Sequence, residues 1–221
     1  MRTKIPGAVF VMILVGFFSY LTYQHFFFDD TAVAKSAIQF KIDQLNIAPD
    51  APAKPPEYFG LKRAEVALQE YHKGVVEPTP GCNCGPDVDK YTESTPAQWC
   101  AMFVSWVSKE AGAPMYDERT KSWRFMNSRL LIEYLKLSGT WYSREEVITK
   151  NLKPRLGDFV FFYRGELEEN LGHVDVVVDV DGAPGTAGLI GGNIRDRVMY
   201  RENFPYQEHY GFLGFGRPEK D

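Results

Sequence analysis

Cysteine and histidine are scarce in this chain, with three of the one and four of the other in 221 residues. Too few of them cluster to supply the four ligands of a structural zinc site, and nothing else calls for a metal or a cofactor. Positive charge is not in excess either. Lysine and arginine number 25 against 29 aspartates and glutamates, a formal net charge of −4. No Lys/Arg stripe is present, which argues against nucleic-acid binding. The same balance gives no bulk attraction toward an anionic polymer, so any such substrate has to be held by groove contacts. No internal repeats are evident, which sets solenoid architectures aside.

What the chain does have is a long apolar run at its start. Arg2 and Lys4 precede an uncharged, mostly apolar stretch from Ile5 to Phe28, long enough to cross a bilayer. With the positive residues first, the N-terminus stays in the cytoplasm and the remainder is exported. Phe17, Phe18, Tyr20, Tyr23, Phe26, Phe27 and Phe28 crowd the outer half as an interfacial aromatic belt would. The run is too long for a usual signal-peptide core, so residues 1–30 are read as a single transmembrane anchor. A leader cleaved after Ala32-Val33-Ala34, giving a secreted protein, is the alternative. Residues 31–57 read as a stalk, with a weak helical stripe at Ile38, Ile42 and Leu45 and a Pro/Ala-rich linker from Ala48 to Pro56. Residues 58–221 form one globular domain.

Within that domain the most informative run is Gln98-Trp99-Cys100-Ala101-Met102-Phe103-Val104-Ser105-Trp106. Ser94-Thr95 and Pro96 are helix-start signals, and Gly112 and Pro114 end the apolar helical stretch. A cysteine in the first turn of a buried helix feels unpaired N–H groups and the positive end of the helix dipole, which favour thiolate. Downstream, Phe159–Tyr163 reads as a buried strand. Gly172–Val180 reads as a second strand, closed by the turn signal Asp181-Gly182, and Gly188–Gly191 as a third that runs into Gly192-Asn193. Leu61–Tyr71 and the Glu133–Leu137 region read as further helices. The fold class is therefore α+β, a helix bearing Cys100 packed on an antiparallel sheet. In a meander, His173 at the start of one strand and Asn193 just past the end of the next become neighbours. A nucleophile, a base and a group that orients the base form an activated-thiol set.

These stretches resemble the CHAP family of cysteine amidases and peptidases, relatives of the NlpC-type cell-wall peptidases, all papain-like. The resemblance runs roughly from Arg63 to Pro218. It includes Gly81-Cys82-Asn83-Cys84-Gly85-Pro86-Asp87-Val88-Asp89-Lys90-Tyr91, Trp99-Cys100-Ala101-Met102-Phe103-Val104, Pro154–Phe162, Gly172-His173-Val174, Gly191-Gly192-Asn193 and Gly211–Pro218. It implies a papain-like fold, Cys100 as nucleophile, His173 as general base and Asn193 as the residue that orients the histidine, with peptidoglycan as substrate. Many members carry a glutamate two positions before the asparagine. Gly191 stands there, so a Cys-His-Asn set is expected. Asp175 shares a strand face with His173 and is expected to face water. Trp99, Trp123 and Trp141 are candidate groove walls.

Cys82 and Cys84 are expected to be separate free thiols. Cys-x-Cys seldom closes on itself, and a redox lock between one of them and Cys100 is a second possibility. Hydrolysis and acyl transfer share every step until water or an amine enters, so both outcomes fit the sequence, as does a non-catalytic wall-binding module.

Overall fold

The computed structural model describes residues 29–47, 54–164 and 172–219. The expected anchor Ile5–Phe28 and most of the Pro/Ala linker lie outside the described residues. No described helix is long and apolar enough to cross a membrane. The chain divides into two units, Met1–Ala37 and Ile38–Asp221. Of the first, only the opening of helix α1 (Asp29–Gln44) is described. The helical stripe foreseen in the stalk belongs to α1, and its Ile38 is buried.

The second unit is α+β. After α1 come α2 (Pro56–His72), α3 (Pro86–Thr92), α4 (Cys100–Glu110), α5 (Ser128–Leu137), β1 (Trp141–Ser143), α6 (Arg144–Thr149), β2 (Phe159–Tyr163), β3 (Gly172–Asp179), β4 (Ala187–Gly191), β5 (Met199–Phe204) and β6 (Phe212–Gly216). The six strands form one sheet in the order β1-β6-β2-β3-β4-β5, with every neighbouring pair antiparallel. This layout is compatible with a papain-like fold.

Local signals explain most of the boundaries. Asn127 caps α5 by accepting from the Leu130 N–H at 3.0 Å. Ser143 and Glu146 form a capping box at α6. The helix of Cys100 begins later than its start signals suggest: Ser94-Thr95 and Pro96 lie in a turn, and Cys100 is the first residue of α4 behind Trp99. Glu93 and Ser94, both at positive φ (50° and 60°), bend the chain away from a helix there. The Asp181-Gly182 signal does mark a hairpin, but the tight turn lies just after it, where the Thr186 N–H donates to Ala183 O at 3.0 Å.

β2 and β3 are buried along almost their whole length. One face of the sheet gathers Val160, Phe162, Val177 and Leu189 with Tyr206, Phe212 and Phe215 into a core cluster. At the β2 end of the sheet sits a buried charge. Asp158 accepts from the Arg155 N–H at 2.8 Å and pairs with Arg217 at 3.2 Å. Burial pushes its carboxyl up to about 6, against the pull of Arg217, the Arg155 N–H and Arg63. A carboxylate with a raised pKa is a liability that grows as pH rises through the window between its unfolded value and about 6.

Arg217→Met should therefore destabilise the protein by about 3 kcal/mol at pH 7.5, because it strands the Asp158 charge. At pH 5, where Asp158 takes up a proton, the loss should be clearly smaller. Urea unfolding at the two pH values checks this, and an equal loss at both would show that Asp158 is not the burdened group.

Candidate active site

Cys100 stands at the first position of α4, and no carboxylate lies in that first turn. Free backbone N–H groups at a helix start stabilise a sulfur anion. The side chain is 4% exposed, and its Sγ lies 3.8 Å from the carbonyl oxygen of Gly172, the first residue of β3. Burial alone would push the thiol up. The His173 ring, the Arg164 guanidinium and the Ala101 N–H together outweigh it, and the thiol falls below its ordinary pKa. Cys100 and His173, singled out in sequence, are thus brought together.

His173 follows Gly172 on β3 and is also buried. Burial lowers its pKa, the Cys100 sulfur pulls it back up, and Arg164 and Arg201 press it down, so the ring holds its proton less readily than usual. Its Nε2 lies 2.8 Å from Asp175 Oδ1. This is an ion-pair approach rather than an aligned hydrogen bond, since neither atom meets hydrogen-bonding geometry. Nδ1 is left as the nitrogen for the thiol.

Asp175 does not face water. It has no exposed surface, and its second oxygen is held by Arg201 of β5. The expectation of an outward-facing aspartate fails because of position 191. The β3–β4 register pairs Val176 with Ile190, so the next step sets Asp175 beside Gly191. A Cβ on Gly191 would lie 1.7 Å from Asp175 Oδ1 and 3.1 Å from His173 Nε2. The carboxylate fills the space that the glycine leaves empty. Where the resemblance leads one to look for a glutamate at 191, the carboxylate comes from the adjoining strand.

Asn193 lies elsewhere in the network. It takes a left-handed conformation (φ 57°), and its amide donates to Asn83 Oδ1 at 3.1 Å. Its carbonyl oxygen accepts from Arg164 Nη2 at 2.8 Å. Asn83 is the middle residue of a loop closed by a Cys82–Cys84 disulfide. The two cysteines are therefore not separate free thiols, and neither locks Cys100, which is free. Within the tripeptide the Cα atoms of Cys82 and Cys84 are 5.2 Å apart, inside the usual disulfide span.

The loop is tied to the nucleophile by Glu77. The Asn83 N–H donates to Glu77 Oε2 at 2.8 Å, and Trp99 Nε1 donates to Glu77 Oε1 at 2.7 Å. Trp99 is consequently core rather than groove wall. It is fully buried and stacks on Tyr91 at 5.5 Å. Gly192 has to be bare for it, because a Cβ there would lie 2.6 Å from the Trp99 ring. Trp123 lies half-buried under Lys109, and Trp141 packs on Phe161.

Sequence reasoning missed Asp175, Arg201, Arg164 and the Glu77–Asn83 link. The bare position at 191 and the strand face that Asp175 shares with His173 were the signals that pointed to the first of these. Among the described residues no group of three or more histidines, cysteines or acids is placed to hold a metal ion. A cavity of about 540 Å³, lined by Gly60, Arg63, Leu156, Asp158 and Arg217, includes neither Cys100 nor His173.

A buried thiol, an imidazole beside it and a carboxylate behind the imidazole are the parts that thiol-based nucleophilic chemistry requires. The CHAP domain family model matches residues 90–193, a span that contains Cys100, His173, Asp175 and Asn193. CHAP domains are typically hydrolases that act on peptidoglycan. No curated protein and no solved structure matches the chain.

Two outcomes follow from this geometry. The rate of Cys100 alkylation against pH should show a midpoint below that of a free cysteine thiol, and a midpoint at or above the free value would remove the activating pair. For peptidoglycan hydrolysis, Asp175→Ala should cost roughly a hundredfold or more, and Asn193→Ala under roughly tenfold. Gly191→Ala, which adds one methyl and removes no polar group, should behave like Asp175→Ala. The reverse order for Asp175 and Asn193, in folded variants, would return the orienting role to the asparagine.

Proposed function

We propose that this protein is an exported, papain-like cysteine hydrolase that cleaves an amide bond in peptidoglycan, as an amidase or endopeptidase. The observation that carries the reading is the buried Cys100 thiol at a helix start beside His173, within the span that the CHAP domain family model matches. The thiolate attacks the amide carbonyl carbon, and the oxygen takes the negative charge. Backbone N–H groups at the start of α4 are suitably placed donors for that oxyanion. His173 gives its proton to the leaving nitrogen, the C–N bond breaks, and an acyl-enzyme remains. Water then attacks the thioester while His173 takes its proton, which releases the acid and restores the thiol. Asp175 keeps the ring in register through both half-reactions and offsets the positive charge the ring acquires.

Two features support export with a retained anchor. One is the apolar run Ile5–Phe28 behind Arg2 and Lys4. The other is the Cys82–Cys84 disulfide, which suits an oxidising compartment. On this reading, residues 1–30 anchor the chain, 31–57 form a stalk and 58–221 the catalytic domain.

Full-length protein in mild detergent, incubated with purified peptidoglycan, should release fragments whose masses show a new carboxyl and a new amine for each bond cut. Cys100→Ala should release none. Fragments from Cys100→Ala at the wild-type rate would refute a cysteine mechanism. Products that gain the mass of an added amine instead of water would make the enzyme a transferase.

A further inference from the structure

Beside His173 lies a second cavity, of about 250 Å³, lined by Arg164, Arg201, His173, Phe162, Tyr163 and Tyr210 among others. Its volume lies just below the roughly 300 Å³ at which pockets for whole drug-sized ligands begin. Its walls are aromatic and its charge is positive. Arg201 is neutralised by Asp175 and lies over the Phe162 and Phe204 rings. Arg164 differs. Among the described residues no carboxylate pairs with it, and its Nη2 donates to Asn193 O. That bond uses one of the five N–H donors of a guanidinium. Burial lowers the Arg201 pKa to about 10, and the charge of nearby Arg164 adds to the effect. A site that sets a guanidinium with no carboxylate partner among the described residues beside a second one, and beside His173, has demand for an anion.

We propose that this cavity is the subsite for a carboxylate of the substrate peptide adjacent to the scissile amide, with Arg164 as its principal ligand. The proposal rests on the hydrolase reading and specifies which substrates it favours. A guanidinium offers a planar fork that fits a carboxylate with two parallel hydrogen bonds. Tyr163 and Tyr210, which line the cavity, offer aromatic surface to the carbon stem. Tyr210, 78% exposed, stands at the mouth, stacked on His209 at 4.8 Å. The peptide is thereby placed with its amide at Cys100 by a charge contact remote from the bond that breaks. A stem peptide whose carboxyl groups are converted to carboxamides keeps the shape and loses the charge, and the site discriminates against it.

Two experiments on the full-length chain in detergent test this. The first needs no substrate: alkylation of Cys100 by iodoacetate is compared with alkylation by neutral iodoacetamide. In the wild type the iodoacetate-to-iodoacetamide rate ratio should exceed that of free cysteine by roughly tenfold, the effect of one nearby charge in partly screened surroundings. Arg164→Gln should bring the ratio back to the free value, and Arg164→Lys, which keeps the charge, should retain most of the preference. A wild-type ratio equal to that of free cysteine, or one that Arg164→Gln leaves unchanged, overturns the proposal.

The second compares synthetic stem peptides with free carboxyls against the same peptides fully amidated. The free acids should show the lower KM, and Arg164→Gln should erase the difference while kcat changes less. Equal KM values in the wild type overturn the subsite and leave the hydrolase reading standing. Cleavage of neither peptide, nor of intact peptidoglycan, overturns the hydrolase reading, and the alkylation ratio then still decides whether the cavity attracts anions.

Discussion

The carboxylate of Asp175 is buried without access to water, and much of the site follows from how that charge is accommodated. An ion in such surroundings costs several kcal/mol unless opposite charge closes around it. Two groups do so: His173, two residues earlier on β3, and Arg201 on β5. β4 lies between β3 and β5, so the arginine and the aspartate meet across an intervening strand. They meet because position 191 on that strand has no side chain, and any Cβ there would occupy the carboxylate's place. One glycine thus permits the contact that fixes the imidazole. Substitutions at 191, 175 and 201 are coupled for the same reason and should not have additive effects.

The thiol end is governed by a different balance. Burial disfavours a sulfur anion, and the first turn of α4, His173 and Arg164 favour it. The helix start is held from behind by Trp99, whose indole is bonded to Glu77, and Glu77 also holds the backbone of the Cys82–Cys84 loop. Through Asn83 the same loop reaches Asn193. The disulfide tripeptide is therefore part of the scaffold that connects the nucleophile helix to the end of β4, and Asn193 serves that scaffold.

Much of this was legible in the sequence because the relevant residues carry local signals. Cys100 sits in an apolar helical run, and His173 opens a β-branched strand. The α+β class, β2, β3 and β4 follow from runs of apolar and β-branched residues between glycine-rich turns. β5 was not foreseen. Its sequence, Met199-Tyr200-Arg201-Glu202-Asn203-Phe204, carries charged and amide residues that are depleted in strands, and it forms through pairing with β4 at the sheet edge. Asp175 was misread because alternation places it on the face of His173 but does not say whether that face is wet. The pairing register decides that, and register is a tertiary property. The disulfide was misread because Cys-x-Cys spacing disfavours closure in general, whereas here Asn83, at φ 48°, folds the tripeptide back on itself.

The most direct test of the account is the protonation of the His173 ring, read from its nitrogen chemical shifts by NMR in the full-length protein. A ring fixed by Asp175 through Nε2 should carry a proton on Nε2 across the neutral range, whether or not Nδ1 has taken one from Cys100, and Asp175→Asn should abolish that fixed state. A wild-type ring with Nε2 unprotonated at neutral pH would contradict the account, since the carboxylate would then have nothing to hold.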